Sequence, residues 1–237
     1  MIDKKILYND TIGCVEYVQH MGDDLTIVNA ARVSFGVEKD EVDEKDKKLI
    51  KYLVKNRHTS TLEHNVVTFR FTVPLFVRGQ HHRHRTWSYN EISRRYTDVN
   101  IQFYEPDSFR TQHKSNRQAS NENDTINPTI DIYDPMCSHP LKVSAANVIK
   151  NHHKDALKLF DCLIDAGICR EQARGLLPQN MYTQYYGTVN LNNLIKFIHL
   201  RDDHHAQWEI QKVAQACKEI ATELWPVAMQ TYNELKK

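Results

Sequence analysis

The densest chemistry in the sequence is the run Arg83-His84-Arg85-Thr86-Trp87-Ser88-Tyr89-Asn90-Glu91-Ile92-Ser93-Arg94-Arg95-Tyr96. Arg83, Arg85, Arg94 and Arg95 stand against a single carboxylate, Glu91. Guanidinium forks grip phosphates through paired hydrogen bonds and stay charged at any working pH. Ser88, Asn90 and Ser93 add neutral hydrogen-bonding groups, and Glu91 can accept from a base, a sugar or a water. The mixture suits a ligand with a phosphate at one end and polar heterocycle edges elsewhere. It suits equally a solvated basic loop with Trp87 and Tyr96 as packing anchors, because clustered charge is often structural.

Other chemistries find less support. The pairs His81-His82, His152-His153 and His204-His205 invite a metal, yet no H-E-x-x-H run and no Cys/His set with zinc spacing occurs. Neighbouring histidines on a helix also point about 100° apart, so no metal is expected. No two glycines form G-x-G, which disfavours a Rossmann dinucleotide site. Cys137 lies beside His139 in a Met-Cys-Ser-His run, within a stretch of weak regular structure. It is expected to be dispensable. The arginines interleaved with Trp87, Tyr89 and Tyr96 could stack single-stranded bases. A balance of 31 basic against 30 acidic residues, net +1, argues against a nucleic-acid partner. Five cysteines, an odd number without a C-x-x-C pair, fit a reduced protein. The charged start MIDKKILYND lacks an apolar h-region, and no long apolar run spans a membrane. A cytoplasmic location is therefore expected.

The elements that must position these residues follow from periodicity. Helices are predicted over 24–35, with Asp23 or Asp24 as cap, and over 45–56. Val67, Phe69, Phe71 and Val73 alternate as in a strand over 65–73, and Pro74 ends it and opens a short helix. Residues 86–96 have no clear period and read as a structured loop. Residues 105–141, rich in Asn, Asp, Ser and Pro, read as a surface insertion with little regular structure. Helical spacing resumes over 143–166, with Gly167 as a C-cap. A short helix over 170–177, a strand over 181–189, a helix over 191–200 and a long helix over 206–235, interrupted near Pro226, complete the pattern. The fold class is α+β: one domain built on a central, mostly antiparallel sheet flanked by helices.

The order Arg-His-Arg, two residues, Ser, one residue, Asn-Glu, one residue, Ser, one residue, Arg-Tyr resembles the signature of the flavin-dependent thymidylate synthases. Further stretches agree in order: AARVSF (30–35), RHTSTLEH (57–64), FVRGQHHRHR (76–85), REQARGLLPQNMYTQYYGTVN (170–190) and LIKFIHLRDDHHAQWEI (194–210). The resemblance covers most of the chain except 105–141. It implies a homotetramer with active sites shared between subunits. It implies methylation of dUMP to dTMP, with 5,10-methylenetetrahydrofolate as carbon donor, FAD as cofactor and NADPH or NADH as reductant. No cysteine nucleophile is needed.

The resemblance also assigns residues. Gln80, His81, His82, Arg83, Glu91, Ile92, Ser93, Arg94, Arg95, Arg174 and Arg201 match dUMP positions. Arg201 matches the residue that polarises the uracil, the one catalytic assignment. Ser93 resembles a serine considered as a nucleophile, but a donor to the phosphate is the better expectation. Arg174 and Arg201 could instead form ion pairs, with Glu171 and with Asp202 or Asp203. FAD positions fall on His58, Ser60, Arg83, His84, Arg85, Glu91, Asn190, Leu191, Asn192, Lys196 and His205, with Ser34 and Glu63 as weaker matches. His58 and His205 could also be hydrogen-bonded structural histidines. Three positions depart from the pattern: Arg94 replaces a small residue, Asn192 an arginine, and Lys196 a polar residue or histidine.

Overall fold

A computed structural model describes residues 4–117, 119–133 and 139–236. The chain forms two compact units. The first comprises Met1–Thr72, Gln80–Glu91 and Gln184–Lys237, the second Val73–Gly79 and Ile92–Thr183.

The first unit is organised by a five-stranded sheet of order β1-β2-β3-β9-β4. Its strands are β1 (Lys4–Ile6), β2 (Cys14–Met21), β3 (Val66–Pro74), β4 (Ser88–Glu91) and β9 (Tyr182–Asn190). β1 with β2, β2 with β3 and β4 with β9 run antiparallel. The alternation in β3 buries Val67, Phe69 and Phe71 completely, as its period of two requires. β4 corrects the expected loop at 86–96: Ser88 to Glu91 pair with Thr188 to Tyr185. An edge strand of exposed and half-buried residues carries no apolar alternation, so only the ladder hydrogen bonds reveal it. β1 and β2 had no sequence signal of their own.

Five helices complete this unit: α1 (Asp24–Arg32), α2 (Glu44–Lys55), α6 (Leu191–Arg201), α7 (Trp208–Leu224) and α8 (Pro226–Lys236). Leu194, Phe197, Ile198, Ile210, Val213, Cys217 and Ile220 have no exposed surface and supply much of the core. The predicted long C-terminal helix divides at Trp225, and Pro226 opens α8 because a first-turn position needs no N–H donor. The two candidate caps at the start of α1 have separate duties. Asp23 forms a capping box with Thr26. Asp24 turns away, and its carboxylate accepts from the backbone N–H groups of Val227 (2.8 Å) and Ala228 (3.1 Å), capping α8.

The second unit contains α3 (Leu75–His81) up to Gly79, α4 (Ala145–Asp165) and α5 (Arg170–Ala173). Its core gathers Phe160, Ala173, Leu177 and Met181, with Leu75, Phe103 and Leu157 against them. The last turn of α4 closes as predicted. Gly167 takes φ +88°, and its N–H and that of Ile168 return to Ile164 and Leu163. Residues 105–141 are more regular than expected. β5 (Phe109–Gln112) pairs with β6 (Ser120–Ile126), and β7 (Thr129–Ile132) pairs with β8 (Leu141–Ser144), both antiparallel. Most of their side chains are exposed, so these strands lack the apolar pattern that sequence reading depends on. No helix among the described residues is long and apolar enough to cross a membrane.

Two substitutions test these contacts. A Cβ at Gly187 on β9 would stand 2.8 Å from Phe71 Cε2 and 3.2 Å from Trp87 Cε3. Gly187→Ala should therefore cost about 1–3 kcal/mol by overpacking, seen as a lower midpoint in chemical denaturation. A wild-type midpoint would show that the rings yield freely. Asp24→Ala should cost about 0.5–2 kcal/mol, and unchanged stability would remove the capping role.

Candidate active site

In the first unit the arginine-histidine run is fastened to the core by its least exposed member. His81 is fully buried; its Nδ1 lies 2.8 Å from the Tyr185 hydroxyl, and the rings of Phe71, Trp87 and Phe197 lie 4.6–4.7 Å away. Burial holds its imidazole well below the usual histidine range, so the ring is neutral. The Tyr89 hydroxyl donates to the His81 carbonyl (3.0 Å) and the His84 carbonyl (3.2 Å), pinning the turn to β4. His82 is half-buried with its ring 4.1 Å from that of Tyr89. Trp87 serves as the expected packing anchor at 5% exposure; Tyr96, 80% exposed, does not. Tyr89 and Tyr185 escaped the sequence reading as site supports, although Tyr185 sits at a buried position of β9's alternation.

Arg201 ends α6 and is half-buried. Its Nε donates to His84 Nε2 at 3.1 Å and its Nη2 to the Gln80 carbonyl at 3.4 Å. The Gln80 side chain donates in turn to Gln207. His84 must offer a lone pair at Nε2, which places its proton on Nδ1. Burial, and then the Arg201 charge, lower its pKa to about 4. Arg201 is itself lowered by burial and by nearby Arg83. The ion pair weighed for Arg201 is not made. Asp202 accepts instead from Gln215 (3.2 Å), Lys218 (3.0 Å) and Lys236, and Asp203 from the backbone and ring of His205. Arg83 and Arg85 are exposed, and among the described residues neither forms an ion pair. Arg83 and Arg201 thus bring two positive charges near one another, and among the described residues neither is paired with a carboxylate.

The remaining candidates of this unit differ in what they have to offer. Asn190 caps α6, accepting from the Asn193 N–H at 2.9 Å. Leu191 is fully buried. Asn192, 5% exposed, spends its amide on Glu63 at 2.9 Å. Lys196 is exposed, and its ammonium donates to the Asn193 side chain at 3.4 Å. Ser60 and His58 are exposed, His58 with its ring edge-on to Tyr52. Ser34 is exposed and donates to the Ala31 carbonyl. Glu91 is half-buried in β4. His204 and His205 lie in the turn between α6 and α7 rather than on a helix, so the helical spacing argument does not apply to them. With Asp203 their ligand atoms come within 4.8 Å of one another.

In the second unit the phosphate-type residues cluster on the segment after β4. Ser93 Oγ accepts from the Arg95 N–H at 3.3 Å. Among the described residues no basic side chain is bonded to that hydroxyl. Ile92 is 39% exposed. Arg95 is exposed, and with Tyr96, Cys169, Arg170 and Glu171 it lines a surface cavity of about 350 Å³. Arg94 points the other way: it is buried, and its Nη1 donates to the Val99 carbonyl at 2.8 Å. Arg174 is exposed and, among the described residues, makes no pair with Glu171. Cys137 lies outside the described residues.

Residues 16–227 match the family model described as Thymidylate synthase complementing protein. The chain is similar to a flavin-dependent thymidylate synthase of Thermus thermophilus, 40% identical over 222 residues, covering 94% of this chain and 76% of that one. A flavin-dependent thymidylate synthase of Thermosipho melanesiensis is 38% identical over 220 residues, covering 93% and 90%. Among solved structures, a UMP/dUMP methylase, PolB, from Streptomyces cacaoi bound with 5-Br dUMP superposes with a TM-score of 0.75 at 31% identity, covering 93% of this chain and 94% of that one. These matches take in the arginine-histidine run, the Ser93–Arg95 segment and Arg201 together, and the chain belongs to the flavin-dependent thymidylate synthase family.

Proposed function

We propose that this protein converts dUMP to dTMP as an FAD-dependent methyltransferase. In the overall reaction, dUMP, 5,10-methylenetetrahydrofolate and NADPH or NADH with a proton give dTMP, tetrahydrofolate and the oxidised nicotinamide. The observation that carries this reading is the cluster of Arg83 and Arg201 about a neutral His84, with no carboxylate paired to either guanidinium among the described residues. A site so charged is built for an anionic ligand.

Arg201 is assigned to the uracil. Its positive charge stabilises the electron-rich pyrimidine as C5 attacks the one-carbon unit. His84 holds the guanidinium by accepting from Nε, and the Gln80 carbonyl steadies it at Nη2. Ser93, Arg95 and Arg174 are assigned to the dUMP phosphate. Gln80, His82, Glu91 and Ile92 are assigned to the nucleotide on the resemblance, and buried His81 supports the run that carries His82 and Arg83. FAD, when bound, supplies the hydride that turns the transferred one-carbon unit into a methyl group. The donor set suits its diphosphate: Arg83, Arg85 and Lys196 are exposed cations without an ion pair among the described residues, and Ser60 adds a hydroxyl. Asn192, committed to Glu63, contributes through the start of α6 rather than through its amide. His58 and His205 are assigned to FAD on the resemblance alone.

The resemblance further supports a homotetramer with shared active sites. Trp87 is buried and so withdrawn from stacking on a single strand, and the balance of 31 basic against 30 acidic residues argues against a nucleic-acid partner. Cys14, Cys162, Cys169 and Cys217 are free, in keeping with a reducing, cytoplasmic setting.

The decisive measurement is anaerobic. Bound flavin should bleach on addition of NADPH or NADH, and dTMP should form once dUMP and methylenetetrahydrofolate are present. A protein that takes up no FAD and makes no dTMP would end this reading. Arg201→Ala should retain FAD and lose about 10²–10³ in kcat; full activity would remove its role. The pH dependence of stability tests His84. Its folded pKa, about 4, lies below the ordinary 6.5, so between these values the unfolded chain binds more protons. The stability His84 contributes is complete above about pH 6.5 and is lost as pH falls toward 4. Chemical denaturation at pH 7 and 5 should show this loss in the wild type and a smaller one in His84→Gln; identical losses would exclude it.

A further inference from the structure

The segment Ile92–Asn100 carries Ser93 and Arg95 yet has no regular structure to hold it. What shapes it is a set of internal bonds. The Tyr96 and Thr97 N–H groups return to the Ser93 carbonyl at 3.0 and 3.2 Å, and the Thr97 hydroxyl accepts from the Val99 N–H at 3.2 Å. Asn100 reverses the chain at φ +54°. Two arginines then clasp the far end. Arg170 grips the Asp98 carboxylate at 3.2 and 2.9 Å from the exposed side. Arg94 grips the Val99 carbonyl from within.

Arg94 is 8% exposed, and its Nε has no acceptor among the described residues. A buried guanidinium bonded to one carbonyl is costly, so a small side chain would be the less demanding choice. Its neighbours Ser93 and Arg95 face outward, half-buried and exposed. Within one turn the chain thus separates an inward cation from two outward polar groups.

We propose that Arg94 is a positioning residue: it fastens the Ser93–Val99 turn from inside, in the form that accepts the phosphate of dUMP, and does not itself touch the nucleotide. This inference rests on the assignment of Ser93 and Arg95 to that phosphate. It gives the departure at Arg94 a role different from that of Arg95, its neighbour with the same side chain.

The test uses the FAD-loaded protein and titration calorimetry with dUMP and with deoxyuridine, which lacks the phosphate. Arg94→Ala should weaken dUMP by about ten- to hundredfold, leave deoxyuridine binding unchanged, and raise KM for dUMP with kcat at saturation retained. Arg94→Gln keeps a neutral donor for the Val99 carbonyl and should recover most of the affinity. A charge contact with phosphate would not be rescued by Gln, so a Gln variant as weak as Ala overturns the positioning role. Should Arg94→Ala misfold, the Gln variant alone still decides, against Arg94→Leu. Arg95→Ala serves as the control for the parent assignment. If it binds dUMP normally, the phosphate reading falls and this inference with it. If it loses dUMP while Arg94→Ala binds at wild-type strength, this inference alone is overturned.

Discussion

The 2.8 Å bond between the His81 imidazole and the Tyr185 hydroxyl ties a loop of cations to the core. A run containing Arg83 and Arg85 has no reason to lie still, since solvated guanidinium groups repel one another and prefer water. Burying one residue of the run among Phe71, Trp87 and Phe197 supplies the missing constraint. Desolvation keeps that imidazole neutral, so the anchor adds no further charge to the site. Gly187 makes room for the rings of Phe71 and Trp87, and Tyr89 fixes the two carbonyls on either side of the exposed arginine. His84 then emerges at the one place where it can accept from Arg201.

The second organising constraint is a sorting of charge. With equal numbers of acids and bases to within one, an electropositive site requires that carboxylates be occupied elsewhere. Asp46, fully buried, takes Arg32 and Lys39. Glu16 takes Arg70 through two bonds of 2.7 and 2.9 Å. Asp202, next in sequence to Arg201, takes lysines from α7 and α8. The adjacency that suggested an Arg201 ion pair therefore works in the opposite direction. The carboxylate is pulled toward Lys218 and Lys236, and the guanidinium is left to a neutral partner.

How much of this could be read from residues alone depends on which physical signal each element carries. β3 and α4 announce themselves because burial imposes a period on their apolar residues, and Pro226 marks a helix start by its missing donor. β4 and the four strands between 109 and 144 are silent, because exposed strands are held by backbone ladders that no side chain advertises. The order of residue types from Arg83 to Tyr96 gave the family, and the comparisons agree with it. It did not give the direction of each side chain. Asp23 and Asp24 were interchangeable as caps until the backbone of α8 claimed one of them. Trp87 and Tyr96 looked alike as anchors, yet among the described residues Trp87 packs against Phe69, Phe71, His81 and Phe197 while Tyr96 stays exposed.

Direction is where the three candidate segments share a principle. Each pairs an inward polar side chain with neighbours left outward. His81 points in while Arg83 is exposed, Arg94 points in beside Ser93 and Arg95, and Asn192 bonds Glu63 one helical turn before exposed Lys196. The inward residue is unfavourable by itself, since each removes a polar group from water for one or two bonds. An apolar residue would pack more cheaply but would set no direction. A hydrogen bond to a particular carbonyl or hydroxyl does, and the backbone then has no freedom in where it presents the next side chain. In a protein that must hold anionic ligands with flexible arginines and lysines, that loss of freedom reduces the ordering cost otherwise incurred on binding. The departures at Arg94 and Asn192 belong to the same scheme, because in both the substituted side chain faces the protein while neighbouring cations, Arg95 and Lys196, stay exposed.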